Sequence, residues 1–267
     1  MLERCMGIWD KVKESGPLIH CITNYVTVNV VANSILAAGA SPAMCENPEE
    51  AGSFVRLAQG LYLNLGTLTG EQEQAMIAAV IGARDARIPV LIDPVACGVI
   101  QRKQAVLKVL RQEGKVSVIK GNGAEIKSLV GLKAEARGVD SLDSGEGLSE
   151  VCTELSQCYD AVIAATGGID VVAHHDRVAR IHNGTAMFQM ITGAGCMAGG
   201  IMTACLAVAP DEAWLASISG LLAFNLAGER AAARSGENPG SFRFLLDDEL
   251  HRLSCHDILA EGKVEWL

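Results

Sequence analysis

Apolar positions along this chain fall into two kinds of run. Some are compact stretches of four to six residues; others are longer, with apolar residues returning every three or four positions. The compact runs at 18–23, 61–65, 89–93, 116–119 and 161–165 have the length and density of strands buried on both faces. Between them the helical period predicts helices over 3–15, 24–38, 69–87, 101–111, 124–130 and 149–157. Punctuation agrees with this parsing. Gly16-Pro17 stops the first helix and Gly39 closes the second, Asn47-Pro48 offers a cap with proline at the first helical position, and Thr69 and Gln72 have capping-box spacing. Residues 41–45 read as a short extended piece. Two strands at 171–174 and 177–181 flank His175-Asp176 as a hairpin. Two alanine-rich helices follow over about 196–208 and 211–233, with a last helix from about Ser241. Residues 131–147, with Gly138, Gly145 and Gly147 among scattered charges, read as a mobile loop.

Strands alternating with helices of ten or more residues predict an α/β fold: a mostly parallel sheet with helices on both faces. With no linker and no internal repeat, residues 1–267 read as a single domain. Ligands of such sheets bind beyond the carboxyl ends of the strands, so the turns there are the place to search for chemistry.

One turn stands out because thirty consecutive positions, Ile181 to Pro210, contain no Asp, Glu, Lys or Arg. A membrane span needs about 20 predominantly apolar residues. Thr192, Gly193 and Gly195 interrupt this run and leave only 196–209 as continuous helix, which is too short to cross. The pattern is a glycine-rich turn feeding a buried helix, whose first N–H groups and positive dipole end suit an anion. Cys196 falls on that first turn, where a thiol's pKa is expected to be lowered. Alternatively, the turn simply precedes a core helix, with Cys196 a small buried apolar residue.

Composition narrows the function classes. A net charge of −9 without a basic stripe argues against nucleic acid as a partner. Aromatics at 4% are too sparse for base-stacking platforms or a membrane belt. Nine cysteines, an odd number without Cys-x-x-Cys or zinc spacing, predict free thiols in a reducing cytosol. The first ten residues lack a signal-peptide core, so a cytoplasmic protein is expected.

Four strand-end signatures then converge: Asp93-Pro94, Lys120-Gly-Asn-Gly-Ala-Glu125, Thr166-Gly-Gly168 and Thr192-Gly-Ala-Gly-Cys196. Singly, each has a structural explanation. Asp93 could cap a helix, Asn122 and Glu125 could form a cap and its box partner, and Thr166 could be a turn residue. Phosphoryl transfer accounts for all four together, since it needs carboxylates for magnesium, a cation for phosphates and N–H groups facing developing charge.

These motifs, with His20-Cys-Ile-Thr-Asn24, Val28-Asn-Val-Val-Ala-Asn33, Gly39-Ala-Ser-Pro-Ala-Met44 and Asn64-Leu-Gly-Thr-Leu68, resemble those of the hydroxyethylthiazole kinase family, in order from about residue 16 to beyond 240. The resemblance implies a ribokinase-like three-layer fold. It also implies ATP- and Mg2+-dependent phosphorylation of 4-methyl-5-(2-hydroxyethyl)thiazole for thiamine synthesis, by a homotrimer with active sites at subunit boundaries. By position it implies Met44 and Gly193 as substrate-binding, Lys120 and Thr166 as ATP-binding, Asp93 and Glu125 as magnesium carboxylates, and Cys196 where sugar kinases of this fold have an aspartate base. Three positions depart from the family pattern. Lys120 replaces the usual Arg, a point charge for a forked donor; Gly168 replaces a Glu; Cys97 replaces a small residue.

Other residues suggest no chemistry. His174, His175 and His182 belong to the hairpin, Cys205 to helix core, and Trp214 and Phe224 to helix packing. For His20, core and site readings both stay open. Competing functions are a related kinase acting on a hydroxymethylpyrimidine or pyridoxal, a Cys196 acyl-enzyme beside His20, and a ligand-binding protein without catalysis.

Overall fold

The computed structural model describes residues 1–131 and 146–267, so most of the loop expected over 131–147 lies outside the described residues. Six parallel strands form the body of the sheet: β1 (Leu18–Ile22), β2 (Ser41–Ala43), β3 (Gly60–Asn64), β4 (Val90–Asp93), β5 (Val118–Asn122) and β6 (Val162–Thr166). Antiparallel β7 (Asp170–His174), β8 (Arg177–Ile181) and β9 (Val264–Trp266) extend it, giving the order β2-β1-β3-β4-β5-β6-β7-β8-β9. Both edge strands are three residues long.

The pleat sorts side chains between two cores. Tyr62, Leu91, Val118 and Ala164 face one side. They meet α1 (Leu2–Ser15), α2 (Val28–Ala37), α8 (Ala194–Val208), α9 (Ala213–Ser235), α10 (Pro239–Arg252) and α11 (Cys255–Glu261). Leu61, Leu63, Ile92, Ile119 and Ile163 face the other side. There they meet α3 (Pro48–Phe54), α4 (Gly70–Ala86), α5 (Gln101–Glu113), α6 (Gly123–Gly131) and α7 (Glu146–Tyr159). The apolar helix that follows Gly193 is buried between these layers from Met197 to Leu206. Among the described residues no single helix is long and apolar enough to cross a membrane.

Helix α8 packs close to the sheet because its first turns are small. A Cβ at Gly199 would sit 2.7 Å from the Tyr62 hydroxyl, so a side chain there would push helix and sheet apart. Removing a large core side chain such as Ile92, fully buried, costs about 2–5 kcal/mol.

Several boundaries differ from the pattern-based expectation, each for a local reason. Helix α2 begins at Val28 rather than 24, because Asn24 Oδ1 accepts the Thr27 N–H at 3.1 Å and folds 24–27 into a turn. Strand β5 starts two residues later than expected and continues to Asn122, since Gly121 and Asn122 pair with Ala165 and Thr166. That shift puts Lys120 inside the strand. Helix α11 and strand β9 were not anticipated; they are seven and three residues long, too short to display a period.

Candidate active site

The carboxyl ends of β3, β4, β5 and β6 meet the start of α8. Asp93 ends β4 and Asn64 ends β3 in register with it, while Asn122 and Thr166 are paired on β5 and β6. Lys120, one turn of the pleat back from Asn122, is buried and donates to Asp93 Oδ2 at 3.1 Å and to the Gly195 carbonyl at 2.9 Å. The Tyr62 hydroxyl reaches the same Asp93 oxygen at 3.4 Å and accepts from Asn64 Nδ2 at 3.0 Å. Asp93 Oδ1 is buried with no hydrogen-bond partner among the described residues.

Burial pushes the Asp93 carboxyl up, and the Lys120 charge opposes it. For Lys120, burial is the largest single influence and acts to lower the pKa, but Asp93, Cys196 and Glu125 together outweigh it and hold the ammonium above its usual value. Removing two charges from water costs about what their attraction returns, so such a pair contributes little net stability. Its place at the strand ends points to chemistry.

Cys196 lies on the first turn of α8, with its sulfur accepting from Asn64 Nδ2 at 3.3 Å and Asn24 Nδ2 at 3.5 Å. The expectation of a lowered thiol pKa is corrected: burial raises it and the Asp93 charge raises it further, with Lys120 and the asparagine amide opposing. Desolvation and a neighbouring carboxylate outweigh the helix terminus. Gly193, at φ 86°, provides the left-handed residue that starts α8; a Cβ there would lie 2.8 Å from Thr27 Cγ2.

Glu125, in the first turn of α6, is half-buried. Its Oε2 accepts the Asn122 N–H at 2.8 Å, Asn122 Oδ1 accepts the Glu125 N–H at 2.9 Å, and Glu125 Oε1 accepts the Ala96 N–H at 3.1 Å. The cap-and-box arrangement is thus present, and it holds the loop after Asp93 as well. Asp93, Lys120, Glu125, Thr166, Gly193 and Cys196 all border one cavity of about 570 Å³. Met44 does not; it is half-buried against the core on the α8 side of the sheet.

Other residues at or beside the cavity escaped the sequence reading. Tyr62 and Asn64, two apart on β3, reach Asp93 and Cys196 from behind the cavity wall and could have been found from period two, since both must face as Asp93 does. Phe224, read as packing only, also borders the cavity and stacks on Phe188, ring centroids 4.7 Å apart. Asp170 and Asn225 are buried lining residues without a distinctive sequence signal. His20 resolves as core: its Nε2 lies 2.6 Å from the Cys45 carbonyl and Phe54 packs edge-on to its ring, so it is not a base for Cys196. Trp214 and Cys205 are buried in the α8–α9 layer as expected.

The donor set constrains any metal. Among the described residues no group of three or more His, Cys, Asp or Glu side chains could hold one. What exists is the orphaned Asp93 Oδ1 and the Glu125 carboxylate, both bordering the one cavity. This suits magnesium, which keeps most of its waters and takes one or two carboxylates plus substrate phosphates.

Known proteins match this chain along its length. The model of the hydroxyethylthiazole kinase family matches residues 9–256. A hydroxyethylthiazole kinase of Syntrophomonas wolfei is 59% identical, each chain covered in full, and one of Desulfitobacterium hafniense is 50% identical, again in full. The solved structure of a hydroxyethylthiazole kinase protein from Pyrococcus horikoshii superposes with a TM-score of 0.91 at 31% identity, covering 99% of both chains. A ribokinase-like superfamily protein from Enterococcus faecalis, 13% identical with a TM-score of 0.64, shares the fold, as the three-layer architecture predicts. The chain belongs to the hydroxyethylthiazole kinase family.

Proposed function

We propose that this protein transfers the γ-phosphoryl group of ATP to the hydroxyl of 4-methyl-5-(2-hydroxyethyl)thiazole. The family match supports the substrate. The single observation that carries the chemistry is the buried Asp93–Lys120 pair facing Cys196 at the start of α8, within one cavity. In this reading the alcohol oxygen attacks the γ-phosphorus, its bond to the β-bridging oxygen breaks, and ADP leaves. Lys120 supplies positive charge to the phosphates, and the α8 N–H groups face the charge that develops. Thr166 borders the nucleotide, and Gly193 allows the substrate's close approach. Magnesium, with Asp93 and Glu125 as protein carboxylates acting partly through water, would neutralise charge on the transferring group.

Because the Cys196 thiol is held neutral, it orients the alcohol rather than deprotonating it beforehand. The hydroxyl proton leaves late, to an oxygen of the transferred phosphoryl group. A loose transition state requires little early deprotonation. Met44 lies outside this chain's own cavity, which favours a role across a subunit boundary. Tyr25 and Val26 are 72% and 52% exposed between Asn24 and Thr27, whose side chains touch Cys196 and Gly193, giving the site an apolar flank for a second copy. A homotrimer is the assembly proposed, checked by light scattering on the eluting protein.

A coupled assay of ADP release tests the reaction, with the thiazole alcohol, a hydroxymethylpyrimidine and pyridoxal compared under ATP and magnesium. Turnover specific to the thiazole and abolished by chelation is expected. Equal turnover of the other alcohols, or turnover without ATP, refutes the reading.

A further inference from the structure

Beyond the residues used above, the cavity contains a buried carboxylate with no place in the proposed transfer. Asp170 opens β7 and is 5% exposed. Its Oδ1 accepts the Gly167 N–H at 2.9 Å, and its Oδ2 accepts from Asn225 Nδ2 at 2.7 Å. Asn225, on α9, also donates to the Asn183 carbonyl at 3.0 Å. The Asn183 side chain in turn accepts the Lys263 N–H at 2.7 Å and donates to Glu229, which receives the Gly184 N–H at 2.8 Å. This chain of bonds joins two walls of the cavity, the turn after β6 and the segment after β8, to one buried helix.

We propose that Asp170 is the positioning residue of the nucleotide end of the site: through Gly167 it fixes the Thr166–Gly168 turn, and Asn225 fixes Asp170. The inference rests on the reading of Thr166 as a nucleotide contact. Gly167 and Gly168 have no side chains to define that turn, and a Cβ at Gly168 would meet nothing within 4 Å. The turn's shape must therefore be imposed from outside, and its hydrogen bond to Asp170 is what imposes it. A carboxylate is suited to this place because it accepts on both oxygens at once, whereas Asn or Ser would accept on one. Maintaining a charge there is costly. Burial pushes the Asp170 carboxyl up to about 6, so the two donors hold an ionised group that the surroundings disfavour. Asn225 is buried for the same purpose, its amide divided between Asp170 and Asn183.

The test uses steady-state kinetics of the full-length protein carrying Asp170→Ala, Asn225→Ala, both, or Asp170→Asn, with ATP and the thiazole alcohol varied separately. ATP affinity is read independently by calorimetry. Asp170→Ala is expected to raise KM and Kd for ATP about tenfold or more, leaving kcat within about threefold and KM for the thiazole unchanged. Asn225→Ala is expected to act in the same direction. The double variant should be no worse than the more damaging single one, because the two residues act as one unit. Asp170→Asn, which retains one acceptor, should fall between wild type and Asp170→Ala and serves if the alanine variant fails to fold. Unchanged ATP affinity in folded Asp170 variants, equal losses for both substrates, or additive effects in the double variant would overturn the proposal. A wild-type protein that binds no ATP at all would overturn the nucleotide reading itself, so the two failures are distinct.

Discussion

The buried Lys120–Asp93 pair makes a stability prediction whose size follows from its surroundings. Lys120→Met removes the ammonium but keeps most of the side-chain volume, leaving Asp93 1% exposed beside Tyr62 with no countercharge. The carboxylate cannot remain ionised there cheaply, so folding will carry it as the neutral acid. At pH 7 that costs the free energy of protonating a group whose ordinary pKa is 3.8, roughly three units at about 1.4 kcal/mol each, or about 4 kcal/mol. This is within the range measured when one partner of a buried pair is removed. The sign of the pH dependence is set as well. A folded-state pKa raised above the unfolded one gives stability that is full below pH 3.8 and lost as pH rises. The deficit of Lys120→Met should therefore shrink as pH falls from 7 to 5. Asp93→Asn/Lys120→Met should regain most of the stability and none of the turnover. Guanidinium unfolding of the chelator-treated proteins at pH 5, 6 and 7 measures this. A deficit below about 1 kcal/mol at pH 7, or one that does not change with pH, would refute the picture of Asp93 as a buried charge neutralised by Lys120.

Three further outcomes are expected. Cys196→Ala should stay active with turnover reduced about 10- to 1,000-fold, and Cys196→Asp should match or exceed wild type at neutral pH, since an ionised carboxylate can take the same two asparagine donors and accept the proton; turnover across pH 6–9 checks both, and an inactive, folded aspartate variant refutes the assignment. Gly193→Ala should destabilise by about 2 kcal/mol or more, from the left-handed φ of 86° and the 2.8 Å approach of Thr27, as read by thermal unfolding; a change below about 0.5 kcal/mol would contradict it. Asp170, raised to about 6, contributes stability fully present below pH 3.8 and lost as pH rises through 6, so Asp170→Asn should gain on wild type by about 2 kcal/mol between pH 4 and 7; a constant offset would show that the carboxyl is not perturbed.

What could be read from the chain alone follows the range of the forces involved. Strands β1, β3, β4 and β6 were legible because burial on both faces leaves near-continuous apolar runs, and helix α4 because Thr69 and Gln72 bond reciprocally within four residues. Asp93, Glu125, Thr166 and Cys196 could be gathered by topology, since turns after parallel strands share one edge. The Cys196 thiol could not be read correctly from its helix position, because the groups that raise it come from β4 and the core, about a hundred residues away in the chain. Asp170 and Asn225 were missed for a related reason: a polar residue in a strand or helix looks solvent-facing until its partner is known. Met44 showed the limit of motif matching itself, belonging to a matched motif yet lying outside the cavity that Asp93, Lys120, Glu125, Thr166, Gly193 and Cys196 border.

The sheet's two edges bear on how copies of this protein can meet. β2 and β9 are three residues each, and β2 contains Pro42, which has no N–H to offer. Such margins present almost no free ladder to another chain. Joining sheets edge to edge is therefore blocked, both as a route to assembly and as a route to aggregation. Any lasting association must run through helix surfaces and the loops beyond the strand ends, which is the rim on which the cavity opens.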